Sequence, residues 1–446
     1  MTTHSSQIIG VGLIGFGTVG SGVAKLLKDE AARYERATGK HLVIRRVLVR
    51  DVAKAQAAAK ASATVSPDLV TGSADDFFAT PNLDVVIEVA GGIKPTGDLV
   101  RRALNAGKPV ITANKTLLAS HGPELFALAR AKGVHISFEA SCGGGIPCIL
   151  ALTLGLQANN ISGLFGILNG TTNYILSQMA NHGQSYAEAL KGAQDLGYAE
   201  ADPTADVSGE DAKQKLCILA SLAFGVKIAP PSVPCEGIER LDKADFRHGD
   251  EMGYAIKLLA TAERWPGQKW VCVQVRPCFV KKTALIAQVQ GGFNALSVIG
   301  HATGHTMYYG AGAGSLPTAS AVVSDLLNTV SGVAGTAFRN LKFAPDLHEE
   351  APIINTADTE SPFYLRLKAN DRPGVIAQVT KILGDHGVSI SGVLQHTVAK
   401  GESHVPLVIT THQVRQGTLE KAADEIEKLE AIAEKPMILR IVELPA

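Results

Sequence analysis

The fold of the N-terminal third is decided by the stretch Ile8-Ile9-Gly10-Val11-Gly12-Leu13-Ile14, which is followed by Gly15-Phe16-Gly17-Thr18-Val19-Gly20. The apolar run predicts a buried strand, and the sequence after Gly20 predicts a helix over residues 21–34. The pattern G-x-G-x-x-G between a strand and a helix is typical of dinucleotide sites, because its glycines let a pyrophosphate approach the helix N-terminus. We therefore predict cofactor contacts from all six residues of the turn; the alternative is a tight turn without a ligand.

Alternating strands and helices continue after this turn. Strands are predicted at 42–49, 69–70, 85–89, 109–112 and 134–139, and helices at 52–60, 95–106 and 115–132. This alternation predicts an α/β fold with a doubly wound parallel sheet. Arg50 ends the second strand, where NAD enzymes usually carry an acid for the ribose. An arginine there can face a 2′-phosphate, so NADP is favoured, with NAD as the alternative because Asp51 is adjacent.

Two loops at the carboxyl ends of predicted strands are candidate ligand sites. They are Ala90-Gly91-Gly92 and Thr112-Ala113-Asn114-Lys115. Parallel α/β sheets bind ligands at this end of their strands. A lysine at a helix start opposes the helix dipole, which indicates a functional role for Lys115 rather than capping. The alternative is an exposed helix lysine.

A glycine-rich segment follows the last strand of this sheet: Glu139-Ala140-Ser141-Cys142-Gly143-Gly144-Gly145-Ile146-Pro147. Backbone carbonyls together with one carboxylate suit a hard cation such as Na⁺ or Ca²⁺. The alternative is a flexible crossing between two domains.

The pattern changes after residue 148 and predicts an α+β domain. We expect a strand at 163–168, helices at 171–181 and 185–196, and strands at 270–280, 284–290 and 295–299. These strands predict an antiparallel or mixed sheet with helices on one face, whose open edge offers a subunit interface. A second glycine loop, 309–317, precedes a helix that runs to about residue 330.

The C-terminal part divides into a linker, 333–361, and a compact unit, 362–446. That unit is predicted to have the order βαββαβ of a ferredoxin-like sandwich, with residues 396–398 between its second and third strands. The predicted domains are therefore a nucleotide-binding domain, 1–147, completed by residues 305–332; a substrate and dimerisation domain, 148–304; the linker; and the C-terminal domain.

One acidic stretch carries the strongest catalytic signal: Gly197-Tyr198-Ala199-Glu200-Ala201-Asp202-Pro203-Thr204-Ala205-Asp206-Val207-Ser208-Gly209-Glu210-Asp211-Ala212-Lys213-Gln214-Lys215. Pro203 and Gly209 indicate that its first half is a loop. Asp211 and Lys215 are four residues apart, so they share one face of the helix that follows. A carboxylate beside an ammonium at the edge of an apolar run suits proton transfer. The alternative is a capped surface helix with a salt bridge, and Lys213 is expected to face solvent.

Composition narrows the class of protein. The chain has 446 residues, of which 42 are basic and 42 acidic, so nothing indicates a nucleic-acid or membrane-surface partner. The six cysteines lack metal-ligand spacing and lie in apolar runs, which favours buried thiols in a reducing compartment. Residues 1–7 are short and polar, unlike a signal peptide. We expect a cytoplasmic protein.

These motifs together resemble a known family. They are GFGTVG at 15–20, TANK at 112–115, EASCGGGIP at 139–147, LNGTTNYIL at 168–176, the acidic stretch at 197–215 and GAGAGSLPTASAVVSDL at 310–326. In this order the chain resembles homoserine dehydrogenase of the long form, and NDRPG at 370–374 resembles an ACT domain. The resemblance implies interconversion of L-aspartate 4-semialdehyde and L-homoserine with NAD(P)H, in threonine, methionine and isoleucine biosynthesis.

The resemblance also implies roles for individual residues. Lys215 matches the proton donor, and Lys115 the lysine between cofactor and substrate. The acids that match the substrate pocket are Glu200, Asp206 and Asp211. The cofactor would contact Gly91, Lys115 and Gly314. A sodium site would be formed by Glu139 with the carbonyls of Cys142, Gly144 and Ile146.

At the level of the whole molecule, the resemblance implies a homodimer through the central domain, and a tetramer if the ACT domains also pair. Threonine, the pathway's end product, would inhibit through the ACT domain. We expect removal of residues 361–446 to leave catalysis and abolish inhibition.

Two rival functions remain open from the sequence. Cys142 could be the nucleophile of a different semialdehyde dehydrogenase, a chemistry that needs a histidine base within reach; His135 is near in sequence but is predicted to lie on the strand 134–139. Alternatively, the chain could be a non-catalytic sensor of nucleotides and amino acids. Retained activity in Cys142→Ala would exclude the first, and the pairing of Lys215 with carboxylates argues against the second.

Overall fold

The computed structural model describes residues 6–265, 267–395 and 404–444. Its N-terminal part is a six-stranded sheet in which every pairing is parallel. In chain order the strands are Gln7–Ile14, Lys40–Leu48, Val70–Thr71, Val85–Glu88, Val110–Thr112 and Ile136–Ser137. Their spatial order, third-second-first-fourth-fifth-sixth, is that of dinucleotide-binding α/β folds. The predicted α/β class is confirmed, and both ligand loops lie at the carboxyl edge of this sheet.

Helices cover both faces of this parallel sheet. They are Thr18–Asp29, Ala31–Thr38, Val52–Ser62, Ala74–Phe78, Thr96–Asn105 and Lys115–Ala131. The single helix predicted for residues 21–34 is wrong, because Glu30 leaves the helical conformation and lets Tyr34 turn into the core. The later helix Ser315–Val330 packs on the first helix and buries Val322 and Leu326 in the same apolar cluster. A segment far along the chain therefore completes this layer.

The middle of the chain forms antiparallel strands: Ile161–Ile167, Tyr254–Glu263, Cys272–Lys281, Phe293–Gly300 and Gly304–Ala311. One predicted strand here is wrong, and two strands were not predicted. The strand predicted at 284–290 is a 3₁₀ turn, Leu285–Gln288, whose Ile286 and Ala287 fill a small core. Short apolar runs of this kind do not distinguish strand from turn. The strands at 254–263 and 304–311 were missed, the second because its glycines resemble a loop.

Helices on one face of this sheet carry the acidic stretch. They are Gly170–His182, Tyr186–Asp195, Thr204–Val207, Glu210–Phe224 and Lys243–Glu251. The first half of the acidic stretch is not all loop, because residues 204–207 form one helical turn before Gly209. Gly209 then adopts a left-handed conformation (φ 86°) and starts the helix Glu210–Phe224.

The C-terminal unit has the predicted βαββαβ order. Its elements are Phe363–Asn370, Val375–Asp385, Ile390–Gln395, His404–Thr411, Gln416–Ile426 and Met437–Val442. Residues 396–398 lie outside the described residues. The last strand pairs in parallel with Cys272–Lys281, with Cys278 opposite Arg440. The four strands of this unit therefore extend the middle sheet to nine strands, so the two parts share one continuous sheet.

The stretch 333–361 contains more structure than the predicted linker. It begins with the helix Val333–Asn340, and its strand Glu349–Glu350 pairs with Val226–Lys227. Asp346 accepts hydrogen bonds from Arg130 of the nucleotide-binding part. These contacts tie the stretch to both of the preceding layers.

Among the described residues, no single helix has the length and apolarity needed to cross a membrane. One bent pair, Ser315–Val330 with Val333–Leu347, meets the length and composition criteria together.

Candidate active site

A cleft of about 940 Å³ separates the carboxyl edge of the parallel sheet from the acidic stretch. One wall carries Val19 of the glycine turn, Gly91 and Lys115, and the opposite wall carries Asp211 and Lys215. The cleft therefore brings the predicted nucleotide-binding residues and the predicted proton-transfer residues into one space.

The centre of the cleft is a carboxylate shared by two lysines. Asp211 Oδ2 lies 2.7 Å from Lys215 Nζ, and Asp211 Oδ1 lies 3.1 Å from Lys115 Nζ. The side chains of Asp211 and Lys215 are each only 12% exposed, whereas that of Lys115 is 33% exposed. Lys215 Nζ also donates to the Leu168 carbonyl at 2.7 Å. Two ammonium groups therefore share one carboxylate at this point of the cleft.

The charges in this cluster shift each other's pKa values. Burial alone would raise the pKa of Asp211, but Lys215 and Lys115 outweigh it and hold this pKa well below its usual range. Burial would likewise lower the pKa of Lys115, but the charge and hydrogen bond of Asp211 raise it overall. The cluster therefore keeps an anion and a cation in place at neutral pH.

An asparagine that the sequence reasoning missed joins the two acids. Asn169 Nδ2 donates to Asp206 Oδ1 at 2.7 Å and to Asp211 Oδ2 at 2.9 Å. Its own oxygen caps the helix Gly170–His182 by accepting from Thr172 N. The sequence signal was its place in Asn169-Gly170-Thr171-Thr172, a turn before a helix, which indicated a cap but not the second function.

The remaining predicted substrate acids also reach the cleft. Glu200 lines it with an exposed side chain. Asp206 is half-buried, and burial raises its pKa, with Asn169 opposing that effect and Asp211 adding to it. Tyr198, from the same stretch, lines the cleft as well, and its carbonyl accepts from Thr171 Oγ1.

The expectation that Lys213 faces solvent is wrong. Its side chain is 13% exposed, and its Nζ lies 2.5 Å from Glu210 Oε1. It does not line the cleft, because the helix turns it away from the face of Asp211 and Lys215.

The glycine turn forms the cofactor end of the cleft. Gly15 has φ 98°, and a Cβ there would lie 2.8 Å from Ala90 N. A Cβ on Gly20 would lie 2.3 Å from the Gly15 carbonyl oxygen, whereas one on Gly17 would meet nothing within 4 Å. Two glycines are therefore needed for the turn itself, and the third leaves space where a diphosphate approaches in such folds.

Glu88 organises the loops beside this turn and was missed from the sequence. It is fully buried at the end of its strand, and its Oε1 accepts from Ala90 N and Gly91 N at 2.8 and 3.0 Å. Thr112 Oγ1 donates to Glu88 Oε2 at 2.6 Å. Asn114 Nδ2, which precedes Lys115, donates to the Gly92 carbonyl. The available signal was an acid that ended an otherwise apolar strand.

The residues after the second strand are Arg50, which is exposed, and Asp51, which caps the next helix. Asp51 Oδ1 accepts from Lys54 N at 3.0 Å, so one of its oxygens is engaged locally. Arg50 is therefore the residue with the freer side chain at this position.

Glu139 lies buried at the predicted cation site. Its carboxylate accepts from Ile149 N at 2.8 Å and Leu150 N at 2.7 Å. Burial raises its pKa to about 7, and these amides oppose the shift. Asp325 accepts from Glu139 N at 2.8 Å, and burial raises its pKa well above the usual range. Within the described residues neither carboxylate has a lysine or arginine partner, so a cation would offset their charge.

The backbone at this site fits oxygen ligation. Gly143 and Gly144 both have positive φ, and a Cβ on Gly144 would lie 2.5 Å from Gly312 C, in the second glycine loop. The Ile146 carbonyl accepts from Cys148 N at 2.8 Å, which leaves its second lone pair for a ligand. Gly314, with φ 115°, follows in that loop and lines the cleft.

Cys142 lacks the surroundings of a nucleophile. It is fully buried, and burial raises the pKa of its thiol to about 12. Its Sγ lies 3.7 Å from both Ser141 Oγ and the Lys215 carbonyl oxygen. His135 bonds Thr329 Oγ1 at 3.1 Å, so the two do not form a Cys–His pair.

Comparisons with known proteins agree along the chain. Residues 147–327 match the homoserine dehydrogenase family, residues 15–139 the homoserine dehydrogenase NAD-binding domain, and residues 363–431 the ACT domain. A homoserine dehydrogenase of Pseudomonas aeruginosa is 41% identical over 97% of this chain and 99% of its own length.

Solved structures are similar too. The crystal structure of a homoserine dehydrogenase from Thiobacillus denitrificans has a TM-score of 0.90 and 42% identity, covering 98% of this chain and 99% of that one. A hyperthermophilic archaeal homoserine dehydrogenase in complex with NADPH is 24% identical with a TM-score of 0.60, covering 72% of this chain and 97% of that one; it shares the fold.

Proposed function

The chain belongs to the homoserine dehydrogenase family, and we propose that the cleft around Asp211 is where it interconverts L-aspartate 4-semialdehyde and L-homoserine. One observation carries this assignment: Lys215 and Lys115 share the Asp211 carboxylate inside the cleft that the glycine turn borders. The reaction belongs to the NAD(P)-dependent oxidoreductases that act on CH–OH groups.

Proton transfer is assigned to Lys215. A bound nicotinamide supplies the hydride, and reduction of the aldehyde then places negative charge on its oxygen. Lys215 has three N–H bonds, of which one goes to Asp211 and one to the Leu168 carbonyl. Its third N–H is directed to the substrate oxygen and delivers the proton. Lys115, which is more exposed, polarises the same oxygen from the cofactor side.

The acidic stretch recognises the amino-acid end of the substrate. Glu200 and Asp206 line the cleft and provide carboxylates for the substrate ammonium. Asp211 holds the two lysines, and Asn169 keeps Asp206 and Asp211 together although both are anionic. The substrate is thereby fixed with its carbonyl against the lysines.

Lysine substitutions test the mechanism. We expect Lys215→Ala to lower kcat for homoserine oxidation by at least roughly 100-fold, because proton transfer by a positioned group contributes about that much. Binding of NADP, measured by fluorescence titration, should persist. Lys213→Ala is the matched control, since it lies two residues away and outside the cleft. Near-normal turnover in Lys215→Ala would contradict the assignment.

NADP is the proposed cofactor, with NAD as the alternative. Arg50 is exposed after the second strand, and Asp51 is engaged as a helix cap, so a 2′-phosphate meets a cation rather than an acid. Loss of this charge-assisted contact in Arg50→Ala should raise KM for NADPH about tenfold and leave KM for NADH unchanged. Equal effects on both cofactors would contradict a phosphate contact.

A sodium ion is proposed beside Glu139, with the carbonyls of Cys142, Gly144 and Ile146 as further ligands. The support is a hard-oxygen donor set next to two buried carboxylates without a basic partner among the described residues. Sodium chloride should raise the Tm of the native protein more than choline chloride at equal ionic strength. Glu139→Gln should remove that difference.

Feedback inhibition by threonine is proposed for the ACT domain. A cavity of about 280 Å³ lies at the turn Asn370-Asp371-Arg372-Pro373-Gly374, before the helix Val375–Asp385. Asp371 and Arg372 offer a carboxylate and a guanidinium to the two charged groups of a free amino acid. Threonine should inhibit the native enzyme, and Asp371→Ala should weaken that inhibition without changing the uninhibited rate.

The exposed edge of the central sheet bears on assembly, and the six cysteines bear on the compartment. We propose a homodimer through the central sheet, whose edge strand Gly304–Ala311 exposes Tyr309 stacked on Phe293. Pairing of ACT domains would give a tetramer. All six cysteines are free thiols, which favours the reducing cytoplasm. Light scattering would give the mass, and a monomer would contradict the interface.

A further inference from the structure

The buried lysine Lys257 supports the substrate end of the cleft from behind, and we propose that it is a positioning residue for substrate binding. It lies on the strand Tyr254–Glu263 and is 3% exposed. No carboxylate within the described part of the chain pairs with its ammonium, and burial lowers its pKa to about 8. The inference rests on the proposed placement of the substrate along the acidic stretch.

Lys257 contacts one loop, residues 289–293, both directly and through Asn173. Its Nζ donates to the Val289 carbonyl and to Asn173 Oδ1 at 3.3 Å. Asn173 is 1% exposed, and its Nδ2 donates to the Gly291 carbonyl at 2.8 Å and the Phe293 carbonyl at 3.2 Å. One ammonium and one amide thus fix three carbonyls of the segment that connects the 3₁₀ turn Leu285–Gln288 to the strand Phe293–Gly300.

This loop packs against two elements that line the cleft, the acidic stretch at Tyr198 and the helix start at Gly170. Gly292 lines the cleft, and a Cβ there would lie 2.5 Å from Tyr198 Cε1. A Cβ on Gly170 would lie 2.6 Å from the Gly292 carbonyl oxygen. Tyr198 stands two residues before Glu200, so a shift of the loop moves the wall that carries this acid. Neither glycine therefore has room for a side chain, and such close packing transmits displacement of the loop to Tyr198 and Gly170.

A merely structural role for Lys257 does not require a charge. A buried ammonium has a free-energy cost unless its hydrogen bonds are made, and an apolar side chain of equal length would fill the same space without it. Such a side chain would, however, remove the donor of Asn173 Oδ1 and leave the Val289 carbonyl with only the 3.3 Å bond from Asn173 Nδ2. Lys257 therefore holds the loop 289–293 in place, and this loop supports one wall of the cleft.

Steady-state kinetics of Lys257→Met test the proposal. We expect KM for homoserine to rise about tenfold, the equivalent of one hydrogen bond from a charged donor, while KM for NADP and kcat change less than about twofold. Lys257→Arg, which keeps the donors, should recover part of the loss. Lys281→Met is the matched control, because it makes the same change at an exposed lysine of the adjacent strand. A purely structural lysine would lower Tm and leave the KM values unchanged.

Asn173→Ser provides a second route if Lys257→Met does not fold. It removes the donors to the loop carbonyls and should raise KM for homoserine in the same way. Wild-type protein that fails to oxidise homoserine would overturn the proposed function itself. If the wild type is active and the folded variants keep its KM for homoserine, the positioning role alone is overturned.

Discussion

At the scale of single residues, the cleft depends on how Asp211 balances two ammonium groups. Asp211→Asn keeps the size and one acceptor but removes the charge, so Lys215 and Lys115 then face each other unscreened. We expect kcat for semialdehyde reduction to fall roughly 100-fold. We also expect the alkaline limb of the pH profile to move to lower pH, since Asp211 raises the pKa of Lys115 and reduction needs the protonated lysines.

The pH profile of kcat/KM measures both effects. Asp195→Asn is the matched control, because this aspartate lies in an exposed ion pair with Lys191 on the preceding helix. A profile of Asp211→Asn that has lost amplitude but kept its alkaline limb would show that the carboxylate does not set the lysine pKa.

The site was predictable wherever its geometry is local. Asp211 and Lys215 follow from helical spacing alone, and the glycine turn follows from its place between a strand and a helix. Asn169 could not be found in this way, because the acids that it joins lie 37 and 42 residues away along the chain. Glu88 has two local partners, Ala90 and Gly91, but its bond with Thr112 spans 24 residues and has no local signal. Lys213 was misjudged because its pairing with Glu210, three residues earlier, was not considered and helical spacing alone does not show how little of a side chain is exposed.

At the scale of elements, the contact between the strand Ile136–Ser137 and the helix Ser315–Val330 makes stability depend on pH. His135, which precedes the strand, is buried and bonds Thr329; burial lowers its pKa to about 4, with Arg339 adding to the shift. The unfolded chain therefore binds this proton below about pH 6.5 and the folded chain does not. The contribution of neutral His135 to the free energy of unfolding is therefore complete above about pH 6.5 and is lost as the pH falls toward 4.

Replacing the histidine should remove this dependence. We expect the free energy of unfolding of the native protein to fall between pH 6.5 and 4 by up to about 3 kcal/mol more than that of His135→Gln. Urea denaturation at several pH values measures the difference. His182→Gln, at an exposed histidine, should behave as the native protein. Parallel curves for His135→Gln and the native protein would contradict the prediction.

The strands of the parallel sheet and the βαββαβ order of the ACT unit were predictable because alternation and turn residues mark them. The middle sheet was harder. The strand Tyr254–Glu263 is buried on both faces, so it lacks the alternation of a half-exposed strand. The strand Gly304–Ala311 contains glycines, which made its sequence resemble a loop. The continuity of the two sheets has no local signal at all, since Cys278 pairs with Arg440 across 162 residues.

At the scale of the whole molecule, this continuity changes what truncation should do. Removing residues 361–446 takes Met437–Val442 from the edge of Cys272–Lys281 and Arg366 from the buried Asp245, which it contacts at 2.6 Å. An open edge strand and an unpaired buried carboxylate both destabilise. We now expect the truncated protein to lose several kcal/mol of stability and to aggregate. A truncated protein that is monodisperse and keeps the native Tm would contradict this prediction. Asp245→Asn in the truncated protein should restore part of its stability, because it removes the unpaired buried charge.

A point change at the junction should separate regulation from stability. Arg276 Nη1 donates to Gln416, the first residue of the second ACT helix, at 2.7 Å, and Nη2 contacts Glu236 at 3.3 Å. The segment around Glu236 supports the start of the helix Glu210–Phe224, because Cys235 Sγ contacts the Ser208 carbonyl at 3.1 Å. This chain of contacts joins the ACT domain to Asp211 and Lys215.

We therefore expect Arg276→Met to weaken the proposed threonine inhibition by about tenfold in the inhibitory concentration, the range of typical coupling free energies, with kcat in the absence of threonine within about twofold of native. Arg440→Met is the matched control, since Arg440 is about as little exposed as Arg276 and its ion pair at the same junction is with Glu263, not with Glu236. Dose–response curves for the three proteins decide the matter. If both variants lose threonine inhibition equally, inhibition depends on the whole contact between the ACT domain and the middle sheet. If Arg276→Met keeps native inhibition, the contacts through Glu236 do not transmit the effect of threonine.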